Sequence, residues 1–298
     1  MYWSTHAGPV PLEELGLVNT TFLATGTPKC DPMLVWGTTV DTDRLEEFVA
    51  EQRRTTGLLI SPAHVLIRAV AAALVKHPEI NRRVIGKRVY RYDGVNIVMP
   101  MRRTSAGEVD WVYLRGAHQL SLPQIAERMW NEARTMAQDA AAEREQARQD
   151  TPWRAYWRSV ARRVYLRSVL VTSRLGFRMA NLRRLPTIYR WQELLNGANA
   201  FVNYLGAPGT PPLICHKPAV LPLNSYSIYM TMGPSEPRPV VVDNAIVIRK
   251  QASLFCRLDH RFVNGFQAGS FMATMRSSLS DPWTLTESPD ETDKQQVA

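Results

Sequence analysis

His260 is the residue whose neighbours best equip it to move a proton. It lies in Cys256-Arg257-Leu258-Asp259-His260-Arg261-Phe262-Val263-Asn264-Gly265, where an apolar strand ends at the histidine. Four residues later Asn264-Gly265 opens a helix. An imidazole at the end of a buried strand, held by a tight turn, has a fixed ring direction. A general base needs that, because proton transfer requires hydrogen-bond reach. A strand-end histidine is also a common structural residue, so the turn alone leaves both roles open. The three cysteines, Cys30, Cys215 and Cys256, are far apart and in no Cys-x-x-Cys spacing. That excludes a disulfide scaffold and a zinc ribbon and points to a reducing compartment. Cys215 and Cys256 read as core thiols, since nothing near them would lower a thiol pKa. No metal is expected.

The elements that must hold this turn can be read from periodicity. Met33 to Val40 reads as a strand, with Leu34, Trp36 and Thr38 on one face. Asp41 to Asp43 offers an N-cap for a helix carrying Leu45, Phe48 and Val49. Ser61-Pro62 is a strong helix start, and Val65, Leu66, Ala69, Val70, Ala73 and Leu74 then form a wide apolar stripe. Val89 to Met99 reads as a strand broken at Asp93-Gly94, and Asp110 to Leu114 as another. Ser121-Leu122-Pro123-Gln124 starts a long polar helix running to about Gln149. Ala200 to Leu205, Ser225 to Met232, Val240 to Val242 and Ala245 to Leu258 are strand-like. Asp243-Asn244 is suited to turn a hairpin between the last two. Gly265 to Leu279 is helical by period. Residues from about Glu287 onward are polar and acidic and read as a disordered tail. Interleaved strands and helices give an α/β class.

Composition bounds what this frame can be. The chain has 298 residues, 45% apolar and 21% charged, enough for a normal core. The first thirty residues lack a basic start followed by an apolar run, so no signal peptide is expected, and no transmembrane helix either. The net charge is +9, yet residues 151–190 hold ten arginines, no lysine and no acid, which leaves the other residues at −1. Trp153, Tyr156, Trp157, Val160, Val164 and Tyr165 recur there at helical spacing, with Arg154, Arg158 and Arg162 on another face. Such a helix can lie on an anionic membrane or grip an acidic partner. It can equally be a solvated helix whose aromatics pack on the body. No helix-turn-helix, zinc-finger or RNA-binding signature accompanies the charge, so nucleic acid is not expected.

Asp259-His260-Arg261-Phe262-Val263-Asn264-Gly265 resembles the D-H-R-x-x-(D/N)-G signature of the acyltransferase cores of 2-oxoacid dehydrogenase complexes. It is related to the H-x-x-x-D-G motif of chloramphenicol acetyltransferase. Val65 through His77-Pro78-Glu79-Ile80-Asn81 is similar to that family's "K-A-x-A-x-A-L-x-x-x-P-x-x-N" helix and exit. Tyr92 to Met99 resembles its next strand. Val202-Asn203-Tyr204-Leu205-Gly206 is similar to its "I-S-N-L-G" strand. These matches fall in the family's order across residues 33–285.

The resemblance implies a chloramphenicol acetyltransferase-like mixed sheet flanked by helices, in one catalytic domain over residues 1–286. It implies a homotrimer or larger assembly with active sites between subunits. It also implies acyl transfer from a thioester donor, coenzyme A or an acyl carrier protein, to a thiol, hydroxyl or amine. His260 would be the general base. The family's oxyanion-binding serine falls at Asn203, whose amide can also donate, with Tyr204 or Ser227 as substitutes. Asn264 would cap the following helix and fix the His260 loop. The family's lipoyl domain, linker and peripheral-subunit-binding segment have no counterpart in the sequence. The Arg-rich stretch, about 150–195, reads as an insertion that could add a wall to the substrate channel, cover a trimer edge, or dock an acidic carrier, a lipoyl domain or a membrane. A second expectation is an inactive trimeric scaffold of the same fold, binding a membrane or an acidic protein through that insertion. The expected location is cytoplasmic, with possible peripheral membrane contact.

Overall fold

The computed structural model describes residues 7–9, 33–85, 88–102, 109–158, 160, 161, 164, 198–206 and 226–286. Cys30, Cys215, Tyr165, Arg162 and the acidic tail lie outside them. The strands are β1 (Ala7–Pro9), β2 (Met33–Asp41), β3 (Arg82–Ile85), β4 (Arg88–Tyr92), β5 (Ile97–Arg102), β6 (Val109–Leu114), β7 (Ala200–Tyr204), β8 (Ile228–Val242) and β9 (Ala245–Asp259). The helices are α1 (Asp43–Thr56), α2 (Pro62–Lys76), α3 (Leu122–Gln149) and α4 (Gly265–Ser280). Six strands form a mixed sheet in the order β2-β9-β8-β7-β5-β6, in which β7 runs parallel to both its neighbours. Strands β1, β4 and β3 form a small antiparallel sheet.

Helix α2 is the centre of the core. Ser61 precedes it in extended conformation and Pro62 occupies its first turn. Ten of its residues are buried, including Val65, Ile67, Ala69 and Ala71, so the helix is apolar nearly all round. It packs between the sheet, α3 and α4. His77 closes its exit, with Nε2 hydrogen-bonded to Thr274 Oγ1 of α4 at 2.9 Å and its ring edge-on to Phe271. The α3 start falls at the expected place and carries a reciprocal cap, Ser121 with Gln124.

The hairpin of β8 and β9 departs from the reading in one respect. Asp243 and Asn244 do turn it, at φ +48° and +65°, the pair of left-handed residues that a two-residue hairpin turn needs. However, Ser225–Met232 and Val240–Val242 are not two strands; β8 is continuous through Pro237 and Pro239. A register shift between Met232 and Ser235 absorbs Gly233-Pro234. Beyond it the hairpin projects past the six-stranded sheet, where β8 has a partner among the described residues on one side only and tolerates prolines as an edge strand does. Strand β3 was not legible, because Arg82 and Arg83 mask a four-residue strand.

The Arg-rich stretch begins as a helix over residues 152–158. Its described aromatics lie outside the hydrophobic core. Trp153, Tyr156 and Trp157 contact one another and stay 67%, 55% and 50% exposed.

The start of α2 carries a pH dependence. Ser61 N–H donates to His64 Nδ1 at 2.9 Å, so the ring must be neutral. Burial and the Arg53 guanidinium lower the His64 pKa from 6.5 to about 4. The unfolded chain therefore takes up this proton before the native chain does. The cap's contribution is complete above pH 6.5 and falls away as pH drops toward 4. In urea unfolding, wild type should lose stability over that window more steeply than His64→Gln, whose amide oxygen accepts the same N–H without titrating. Equal slopes would contradict this.

Candidate active site

The turn that follows β9 is held at every residue. Asp259, buried at the strand end, accepts from the Arg261 backbone N–H at 3.0 Å. The same carboxylate takes a two-point fork from the Arg261 guanidinium, Nε to Oδ1 at 2.9 Å and Nη2 to Oδ2 at 2.5 Å. Such paired, charge-assisted bonds fix geometry as well as energy. Phe262 and Val263 are buried, and both donate their N–H to the Asp259 carbonyl at 3.3 Å. Asn264 then caps α4: its Oδ1 accepts from Gln267 N at 2.9 Å, and Gln267 Oε1 accepts from Asn264 N at 3.0 Å. The structure thus gives Asn264 the capping position expected of it.

His260 stands in the middle of this clamp, half-buried. Its Nδ1 lies 2.7 Å from the Val263 carbonyl oxygen. A carbonyl can only accept, so the proton sits on Nδ1 and the basic lone pair sits on Nε2. The turn has therefore chosen the tautomer as well as the ring direction.

Asn203 sits elsewhere on the sheet. It pairs with Thr231, and Thr231 pairs with Phe255. The same rows run from Ala200 through Ile228 to Leu258. His260 follows Leu258 in one direction while Asn203 is displaced in the other. About five residues of strand, roughly 16 Å, and two strand spacings separate them. Within one chain the two cannot hold the same carbonyl group. Alternation places Asn203 with Phe201 on the sheet face away from the central helices, where Val98, Phe201, Tyr226 and Tyr229 form a second cluster.

The two substitute donors are placed differently. Tyr204 turns to the helix side, packed on the main core, and a Cβ on Gly206 would collide with its phenol. That explains the glycine of Val202-Asn203-Tyr204-Leu205-Gly206. Ser227 is fully buried, and its hydroxyl has no hydrogen-bond partner among the described residues. Cys256 is sealed in the core, and burial pushes its thiol pKa well up, as a core thiol requires. Among the described residues no group of three His, Cys, Asp or Glu converges to hold a metal.

Two features of the site escaped the sequence reading. Phe266, in the first turn of α4, is 88% exposed beside the histidine turn. An asparagine network also fixes the start of β7. Asn199 Nδ2 donates to Asn81 Oδ1 at 2.5 Å and to the Gly94 carbonyl at 2.8 Å, while its Oδ1 accepts from Asn96 N at 2.5 Å. Asn96 Oδ1 accepts from Gly116 N at 2.9 Å. All three side chains are buried. The signals were that Asn81 closes the P-x-x-N match and that Asn81, Asn96 and Asn199 each border a strand.

A sequence model of the 2-oxoacid dehydrogenases acyltransferase (catalytic domain) family matches residues 31–151 and 197–287, and the chain belongs to that family. It is 33% identical over 112 residues to the lipoamide acyltransferase component of the branched-chain alpha-keto acid dehydrogenase complex of Pseudomonas putida. That alignment covers 36% of this chain and 24% of the relative, so the chain spans about a quarter of that protein. Among solved structures, the dihydrolipoamide acetyltransferase of Azotobacter vinelandii, studied for the catalytic role of a serine, a histidine and an asparagine, superposes with a TM-score of 0.57. Identity is 19%, over 90% of this chain and 87% of that one. The cubic core of the pyruvate dehydrogenase multienzyme complex also gives 0.57, at 19% identity over 94% of each chain. A chloramphenicol acetyltransferase gives 0.51, at 12% identity over 95% of this chain and all of the other. The fold is the chloramphenicol acetyltransferase-like one.

Asn199→Leu removes three bonds, taking the donor from buried Asn81 Oδ1 and the acceptor from the buried Asn96 N–H, while the Gly94 carbonyl keeps Asn81 Nδ2. The substitution should cost about 3 kcal/mol in urea unfolding. An unchanged unfolding midpoint would show that the network does not hold β7.

Proposed function

We propose that the protein is an acyltransferase that moves an acyl group from a thioester to a thiol, hydroxyl or amine. The donor would be coenzyme A or a carrier-protein thioester. The observation that carries this reading is the His260 tautomer, fixed with its basic nitrogen away from the turn. The acceptor X–H gives its proton to His260 Nε2 as X attacks the thioester carbon. The carbonyl π pair moves onto oxygen. When the tetrahedral adduct collapses, the C–S bond breaks and the departing thiolate takes the proton back from Nε2.

The oxyanion of that adduct needs a positioned donor. Asn203 supplies its amide from a neighbouring copy, because the register keeps it away from its own His260. The multimeric cores among the structural neighbours support such an assembly. In the Azotobacter protein the histidine and asparagine studied are four residues apart, as His260 and Asn264 are here. Phe266 lies beside the histidine turn as an apolar wall for an acyl chain or acceptor.

An inactive scaffold is the competing reading, favoured by Asn203 standing where the family has serine. Turnover decides between them. His260→Ala should fold and assemble as wild type and lose about 10²- to 10⁴-fold in kcat. Asn203→Leu should lose on the order of 10²- to 10³-fold. Identical turnover by wild type and His260→Ala, across acyl-coenzyme A and acyl-carrier donors, would establish the scaffold.

A further inference from the structure

The family match stops at residue 151 and resumes at 197. Residues 152–196, between those limits, contain ten arginines and a single acid, Glu193. Their net charge is +9, equal to that of the whole chain, so all the rest sums to zero. The residues that match the family carry only +3 between them, so most of the cationic character comes from a stretch outside the family match.

The described start of that stretch shows what accompanies the charge. Trp153 and Tyr156 stack at 6.5 Å between ring centroids, and Trp157 meets both edge-on at 5.4 and 5.8 Å. At about 100° per residue these three rings share one helix face. Val160 and Val164 fall on the same face, and Val164 is exposed. Arg154 and Arg158 border it. Arg158 is paired with Asp150 at 2.6 Å, which ties the helix to the end of α3. Exposed apolar clusters of this kind mark binding surfaces.

Charge and aromatics together select the occupant. An acidic protein would answer the arginines but would need an apolar patch of its own to cover two indoles and a phenol side by side. An anionic bilayer answers both, since Trp and Tyr favour the headgroup level and arginines meet lipid phosphates. Among the described residues no helix is long and apolar enough to cross a membrane.

We propose that the Trp153-Tyr156-Trp157 face, with its flanking arginines, docks this protein on an anionic lipid surface, rings in the headgroup layer and the catalytic fold outside it. The proposal stands apart from the acyl-transfer reading. The test is sedimentation of the full chain with phosphatidylcholine vesicles, with and without roughly one-third phosphatidylserine. Binding should require the anionic lipid and fall on the order of tenfold at high salt. Trp153→Ser/Trp157→Ser should weaken it by about tenfold, and Arg154→Glu by about fivefold or more. Circular dichroism should show both variants folded.

Absence of wild-type binding to anionic vesicles overturns the proposal, as does equal binding by both variants. It is also overturned if the tryptophan variant dissociates into smaller species in sedimentation velocity, because the face is then a contact between copies. None of these outcomes reads turnover, so failure here leaves acyl transfer untouched.

Discussion

The hydrogen bond from His260 Nδ1 to the Val263 carbonyl oxygen, 2.7 Å long, decides which nitrogen of the imidazole is basic. It exists only because the turn is rigid. Asp259 is buried and would be costly without a partner, and the Arg261 fork supplies one two residues away. Phe262 and Val263 anchor the turn in the core, and the Asn264 cap starts α4 where Val263 ends. The conspicuous run from Asp259 to Gly265 is therefore one mechanical unit. Each residue has a structural job whose joint result is the orientation of one ring.

The sheet imposes the other constraint. Backbone pairing from β7 through β8 to β9 sets Asn203 and His260 on rows about five residues apart. Side-chain flexibility cannot close a gap of that size, which is why the proposed mechanism takes the oxyanion donor from a second copy. The asparagine network matters for the same reason. By tying Asn199 to Asn81, Gly94 and Asn96, it fixes the register of the strand that carries Asn203.

Much of this was legible in the sequence because local rules dominate there. Ser61-Pro62, Ser121-Leu122-Pro123-Gln124 and Asn264-Gly265 announce their helices, and each helix begins where they say. Asp243-Asn244 announced its hairpin, since a left-handed pair favours those residues. What stayed hidden depends on distant partners. Pro237 and Pro239 read as breaks because local propensity does not know that the strand has become an edge. Asn199 looked like loop until Asn81, more than a hundred residues earlier, met it. The Trp153 helix gave its face by periodicity, but periodicity is silent on whether that face meets the body or the outside. Exposure settled that.

The most direct measurement is complementation between two dead variants. His260→Ala and Asn203→Leu chains would be co-expressed so that mixed assemblies form, and acyl transfer measured. With base and oxyanion donor from different copies, random mixing leaves about one site in four with both groups intact. Turnover should then recover to roughly a quarter of wild type. Mixed assemblies as inactive as either parent would contradict a site shared between copies.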